Sequence, residues 1–254
     1  MTRVLVVWED KNFESLDVAS KRLVRNLAPA PAAAVPVVLG HTTRGNGVFE
    51  RYVETTWPKV QPRGLPIDPR PIDHLICVVD GDKLHDLLRG EVTRAPDAAA
   101  QVASWHLAAE RTWQAYLRAR CPADGPASST VHGIVLRWAK ESAALAGYDQ
   151  AASRTALDLA EGDRANALLA TCSPDPRNVP DAAFTDTFRR PLGCLRLLRP
   201  DRTLEKMSPE IDDAIKAFAK HQPALLRARV PDLARIADLV WTLHGATPTP
   251  PATT

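Results

Sequence analysis

Asp80-Gly81-Asp82 closes the apolar run His74-Leu75-Ile76-Cys77-Val78-Val79. Two carboxylates one residue apart at the mouth of a buried strand repel each other, and a divalent cation is the usual compensation. Oxygen donors of this type suit Mg²⁺ or Mn²⁺. A second acidic position follows the first apolar run, Arg3-Val4-Leu5-Val6-Val7-Trp8, where Glu9 and Asp10 stand side by side and Glu14 comes shortly after. A third, Glu141, follows the run Val131 to Trp138 and is preceded by Lys140. Acids delivered from several strand ends are what two-ion phosphoryl transfer uses: one ion activates the attacking water and the other stabilises the leaving oxygen. Asp80 is the candidate bridging ligand. Asp82 and Glu9 complete one ion site, Glu141 helps to hold a second, and Asp10 and Glu14 are further candidate ligands. Lys140 or Lys83 offers positive charge to a phosphate. Arg44 offers the same in the turn Gly40 to Gly47, where Gly45 and Gly47 permit close backbone approach.

Each of these residues also has a plainer reading. Asp82 suits the N-cap of a helix over Lys83 to Leu88. Glu141 suits the first turn of a helix, where the dipole favours an acid. Asp10 and Glu14 read equally as surface acids opening a helix, Lys140 and Lys83 as solvated lysines, and Arg44 to Gly47 as a simple turn. His85 reads as a surface histidine, and His41, His74, His106 and His132 show no metal-ligand spacing. Trp57, Trp105, Trp113, Trp138 and Trp241 read as core residues, and Trp8 stands beside Glu9.

The elements that must position the acids follow from the apolar patterning. Val4 to Trp8 predicts a first strand, and Leu16, Ala19, Leu23 and Leu27 recur at helical spacing until Pro29 and Pro31. Val35 to Leu39 predicts a second strand, kept to an end or edge by Pro36. A short helix is expected over Val48 to Trp57, then a proline-rich surface loop from Pro58 to Pro71. Ile72 to Val79 is the strand that delivers Asp80. Ala95 to Arg120 predicts a long helix, Val131 to Trp138 a fourth strand, and Ala139 onward a helix that ends at Gly147. Beyond that point the pattern is helical with proline breaks, with helices expected over Ala156 to Leu169, Ile211 to Lys220 and Val230 to Leu243. Strands alternating with helices imply an α/β fold with a mainly parallel sheet flanked by helices, followed by a C-terminal helical region. The expected organisation is a catalytic domain over 1–150, a helical region over 151–246 and a Pro/Thr-rich disordered tail over 247–254.

Of the 254 residues 45% are hydrophobic, enough for a substantial core. The net charge of +2 produces no strong global field. Nucleic-acid binding then needs a local basic face, for which the arginine-rich stretches Arg189 to Arg202 and Arg227 to Arg235 are candidates and solvated helix faces the alternative. Cys77, Cys121, Cys172 and Cys194 form no CxxC pair and read as reduced thiols of a cytoplasmic protein. No stretch has the roughly 20 apolar residues of a membrane span, and the N-terminus lacks the pattern of a signal peptide.

Glu9 after the first strand, Asp80-Gly81-Asp82 after a later one, and Glu141 after the next together resemble the Toprim fold of topoisomerases, primases and OLD-type nucleases. Ala139-Lys140-Glu141-Ser142-Ala143-Ala144-Leu145-Ala146-Gly147-Tyr148-Asp149 is similar to a stretch of small Toprim-like proteins linked to anti-phage defence. The resemblance covers about residues 3 to 149. It implies a Toprim-like sheet, Mg²⁺ or Mn²⁺ as cofactor, DNA or RNA as substrate, phosphodiester hydrolysis, and an ABC/SMC-type ATPase as partner. The chain departs from the family pattern at two points: Asp10 replaces the glycine that follows the glutamate, and Phe13 occupies the place of a further acid in OLD-type members. These departures raise a second reading, a non-catalytic Toprim-like partner or sensor of the ATPase. A third reading is a response-regulator-like receiver, with Glu9-Asp10 as its acid pair and Asp80 as phosphoacceptor.

Overall fold

The computed structural model of the chain describes residues 1–9, 13–26, 28–29, 34–42, 52–80, 98–121, 130–136, 140–158, 191–198, 204–205 and 208–246, with backbone alone at 80, 98–106, 191 and 197–198. Two compact units emerge, and their chain segments interleave. One, the sheet unit, comprises Met1–Phe13, Ala28–Leu136 and Asp238–Pro248. The other, the helical unit, comprises Glu14–Leu27 and Arg137–Ala237 over the described residues.

The sheet unit is built on β1 (Arg3–Trp8), β2 (Val37–Thr42), β3 (His74–Asp80) and β4 (Val131–Leu136). All pairings are parallel and the strand order is β2-β1-β3-β4. The fold is therefore α/β with a four-stranded parallel sheet, as the alternation of strands and helices implies. Residues of both sheet faces are buried, which is why the strands read as continuous apolar runs rather than alternating ones. Leu5, Val7, Leu75, Cys77, Val79, Val131 and Val135 form one face, and Val4, Val6, Trp8, Ile76, Val78 and Ile134 are buried on the other.

Of the turn predicted from Gly40 to Gly47, the described residues Gly40 to Thr42 are strand instead, because they pair with Val6, Val7 and Trp8 of the buried β1; cross-strand pairing overrides local turn preference. The loop predicted from Pro58 begins as helix α2 (Trp57–Arg63), preceded by a π-helical turn over Tyr52–Thr56. Pro58 lies in the first turn, where its missing N–H has no partner to lose. Gly64, at φ +71°, ends α2; a Cβ there would stand 2.3 Å from the Arg70 carbonyl oxygen. Residues 48–51 of the helix expected up to Trp57 lie outside the described residues.

The first sheet face packs with Tyr52, Val53, Trp57 and Val60 and with Ala109, Trp113 and Leu117 of the long helix α3 (Ala98–Ala119). Gly133 in β4 admits α3: a Cβ there would lie 2.7 Å from Trp113 Cδ1. The Trp113 indole N–H donates to the Cys77 carbonyl at 3.2 Å. On β4, Gln114 accepts from the Gly133 N–H (2.6 Å) and donates to the Val131 carbonyl (2.9 Å). Its carboxamide thus satisfies backbone groups of an edge strand that would otherwise be open to pairing with another chain.

The helical unit contains α1 (Glu14–Asn26), α4 (Lys140–Ala146), α5 (Ala151–Leu157), α6 (Pro191–Leu198), α7 (Pro209–His221), α8 (Pro223–Arg229) and the first part of α9 (Pro231–Leu243). The start expected at Ala156 is corrected: α5 begins five residues earlier, and Asp158 ends it with a left-handed φ of 54°. Asp tolerates that conformation better than most residues. Residues 159–169 of that expected helix, and the expected tail over 247–254, lie outside the described residues. Prolines open α6 to α9, so the breaks visible in the sequence are starts as much as stops. Gly147, which follows α4, is required by close approach: a Cβ there would lie 2.8 Å from the Phe218 ring of α7.

Candidate functional site

The two central strands, β1 and β3, are neighbours and parallel, so their C-terminal ends open on one edge of the sheet. The chain leaves β1 for β2 on one side, and β3 occupies the other. This is the topological switch point, where open α/β sheets bind their ligands. Trp8 pairs with Val78, and the Glu9 N–H donates to the Val78 carbonyl at 3.1 Å. Glu9 therefore lies level with Val79, one residue short of Asp80 on the adjacent strand. Glu9 is 0% exposed. Two acidic positions, 9 and 80, thus fall at the same edge of the sheet on adjacent strands, and Glu9 is wholly buried.

Trp8 is fully buried beside this position, and its ring lies 6.2 Å from that of Phe13. Phe13 is also buried. Asp10, Asp82, Lys83, His85, Arg44 and Gly45 to Gly47 lie outside the described residues, as does the side chain of Asp80. Among the described residues no group of three or more His, Cys, Asp or Glu is assembled as a metal site.

Glu141, Lys140 and Glu14 belong to the helical unit. Lys140 and Glu141 open α4 and are both only 2% exposed. The reading of Lys140 as a solvated lysine is corrected: its ammonium donates to Asp212 Oδ1 at 3.0 Å. Asp212 lies in the first turn of α7, where a negative charge also favours the helix dipole. Glu14, in the first turn of α1, is exposed and stands 4.0 Å from Lys216 Nζ.

The arginines of the 227–235 stretch are engaged within the helical unit rather than arrayed on a solvated face. Arg229 makes a two-pronged pair with Asp149 (2.6 and 2.9 Å) and donates to the Ala146 carbonyl at the end of α4 (2.9 Å). Burial alone would raise the Asp149 carboxyl, but the hydrogen bonds and charge of Arg229 hold it below its usual value. Arg227 is buried, and Arg235 lies 3.4 Å from Asp232. Arg196 donates to the Leu204 carbonyl at 2.6 Å. Arg189, Arg190, Arg199 and Arg202 lie outside the described residues.

At the other end of the sheet, the structure unites groups that sequence spacing kept apart. The turn beyond Gly64 closes through paired Leu65 and Asp68 hydrogen bonds (2.8 and 3.0 Å). Asp68 accepts from Arg70 and from Arg3, and these two partners hold its carboxyl well below the usual range. His74 and His132 meet across β3 and β4, with Nδ1 and Nε2 3.5 Å apart. Burial lowers both imidazoles. His132 falls to about 4 through burial, the neighbouring His74 and the charge of Arg118; for His74 the charge of Asp73 partly opposes the shift. The only sequence sign of this pair was that each histidine sits at the start of an apolar strand.

Trp57, Trp113 and Trp241 are buried as expected; Trp138 and the side chain of Trp105 lie outside the described residues. Cys77, Cys121 and Cys194 form no disulfide among the described residues, and burial pushes the Cys77 and Cys121 thiols up. No helix among the described residues is long and apolar enough to cross a membrane. No protein-family model, no curated protein and no solved structure matches the chain.

Proposed function

We propose that this chain is a metal-dependent nuclease of the Toprim kind, hydrolysing phosphodiesters of DNA or RNA. The observation that carries the reading is the pairing of Glu9 with the end of β3: two acidic positions on adjacent central strands at the sheet's switch point. Glu9, Asp80 and Asp82 are the residues that would hold Mg²⁺ or Mn²⁺; Glu141, Asp10 and Glu14 are further candidate ligands on the resemblance alone. The ion supplies Lewis-acid stabilisation of phosphate oxygens and a water activated at neutral pH. The chain's own part is to fix the acids on rigid strand ends. Glu9 itself is fully buried. Following the same resemblance, the protein acts in the cytoplasm as the effector of an anti-phage system, beside an ABC/SMC-type ATPase.

The test is incubation of the purified chain, alone and with an ABC/SMC-type ATPase, with plasmid or RNA and Mg²⁺ or Mn²⁺. Cleavage that Asp80→Ala abolishes is expected. Absence of cleavage under all these conditions, or cleavage untouched by Asp80→Ala, defeats the proposal.

Two observations support other readings. Phe13 is a core residue where OLD-type proteins carry an acid, which favours a non-catalytic partner subunit. Tight Mn²⁺ binding without turnover, in a stable complex with the ATPase, is its signature. The strand order β2-β1-β3-β4 is the first part of the flavodoxin-like order that receivers share. Labelling of Asp80 by acetyl phosphate would identify that function.

A further inference from the structure

We propose that His74 and His132 form a second metal site, for a borderline divalent transition cation such as Zn²⁺ or Cu²⁺, at the opposite end of the sheet from Glu9 and Asp80. His74 begins β3 and His132 lies near the start of β4. Their register pairs Leu75 with Val131 and Ile76 with His132, so both histidines stand on the same face of adjacent parallel strands. The ring centroids are 5.5 Å apart and the rings are tilted by 50°. The nearest nitrogens, His74 Nδ1 and His132 Nε2, are 3.5 Å apart.

That separation matches the geometry of chelation. Two imidazole nitrogens bound tetrahedrally at about 2.0–2.1 Å from one ion lie about 3.3 Å from each other. To admit the ion both rings must turn their nitrogen lone pairs towards a common point, while the paired strands that carry them hold the two residues side by side. Both residues are partly exposed, so water can reach the ion and complete its coordination. No third His, Cys, Asp or Glu joins the pair among the described residues, and water would fill the positions on the ion that the two imidazoles leave. Asp73 is engaged elsewhere, its carboxylate accepting from the Arg3 N–H at 2.8 Å. Imidazole donors select Zn²⁺, Cu²⁺ or Ni²⁺, whereas carboxylate oxygens select Mg²⁺ or Mn²⁺. The length of β3, about 20 Å at ~3.3 Å per residue, separates the two ends. A bound ion would clip β3 to β4 at the ends where these strands begin.

The experiment titrates the full chain at pH 7.5 with Zn²⁺ by calorimetry. In parallel, the Cu²⁺ form is examined by electron paramagnetic resonance. The wild type is expected to bind one Zn²⁺ with a micromolar Kd, and His74→Gln and His132→Gln each to weaken binding by about ten-fold or more. Asp80→Asn should leave this binding unchanged, so failure here and failure of the nuclease reading are separate outcomes. The Cu²⁺ spectrum should show two nitrogen donors. Should a variant fold poorly, modification of the wild type by diethyl pyrocarbonate decides the matter: Zn²⁺ should protect His74 and His132 among the seven histidines of the chain. Equal affinity in wild type and in both His74→Gln and His132→Gln, no binding in the micromolar range, or protection of other histidines overturns the proposal.

Discussion

The sheet unit and the helical unit use their polar side chains in opposite ways. In the sheet unit the strand interiors are apolar, and polar groups gather at the strand ends: the buried Glu9 and position 80 at one, His74, His132 and the Arg3–Asp68 pair at the other. In the helical unit charged groups are tied to one another inside. Lys140 is held by Asp212, and Arg229 by Asp149 and the Ala146 carbonyl. Arg22 donates to the Lys216 carbonyl at 2.7 Å. Mutations of polar groups should therefore affect function in the first unit and stability in the second. A parallel ladder satisfies its own backbone and leaves strand ends free to carry side chains. Short helices leave carbonyls and N–H groups at many ends, and long basic side chains are recruited to satisfy them.

Asp80 is where this contrast should be largest. Asp80→Ala should lower Mn²⁺-dependent cleavage on the order of 10²–10³-fold while the far-ultraviolet circular dichroism is retained; a fall in cleavage that merely tracks unfolding would erase the distinction between the units. Next in size is Asp212→Ala, which leaves the buried Lys140 ammonium without this carboxylate. A loss of about 3 kcal/mol is expected in urea unfolding, and Lys140→Met combined with Asp212→Ala should recover part of it. If Asp212→Ala leaves the midpoint where it was, the buried clamps do not carry the helical unit.

Gly147→Val forces a side chain against Phe218 and Ser153, for an expected loss of about 1–3 kcal/mol, read as a fall in Tm. The smallest effect concerns acid. The folded-state value of His132, about 4, lies below the ~6.5 of a histidine in an unfolded chain. Protons therefore bind the unfolded chain more readily, and the contribution of this residue is complete above about pH 6.5 and declines as the pH falls towards 4. With chelator present, wild type should lose on the order of 1 kcal/mol more than His132→Gln between pH 7.5 and 5, allowing for the solvent that reaches the ring. Parallel pH profiles of the two proteins would show that the pair is not under this strain.

Much of the fold was legible because burial on both sheet faces writes strands as unbroken apolar runs. Val4 to Trp8 and Leu75 to Val79 are such runs and lie within strands; Val131 to Leu136 is a strand as well, although the partly exposed His132 interrupts it. Glycine marked a helix end well at Gly147, but the sign of a proline was ambiguous: Pro58 opens a helix where a loop was expected. Of the candidate site, the placement of Glu9 and Asp80 after strands was visible in the pattern. Their adjacency was not, since strand order is a property of pairing between distant segments. The role of Arg229 was hidden for the same reason, its partner Asp149 lying 80 positions away.

Local patterning was enough to say which segments are strands, that these strands are buried, and that acids follow three of them, because it records how much of each residue is removed from water. Folding in three dimensions was needed to make β1 and β3 neighbours, to lay Gln114 along part of the β4 edge, to bury Lys140 against Asp212, and to bring His74 to His132. Those outcomes depend on long-range register and packing, which bring together groups with no relation in sequence spacing.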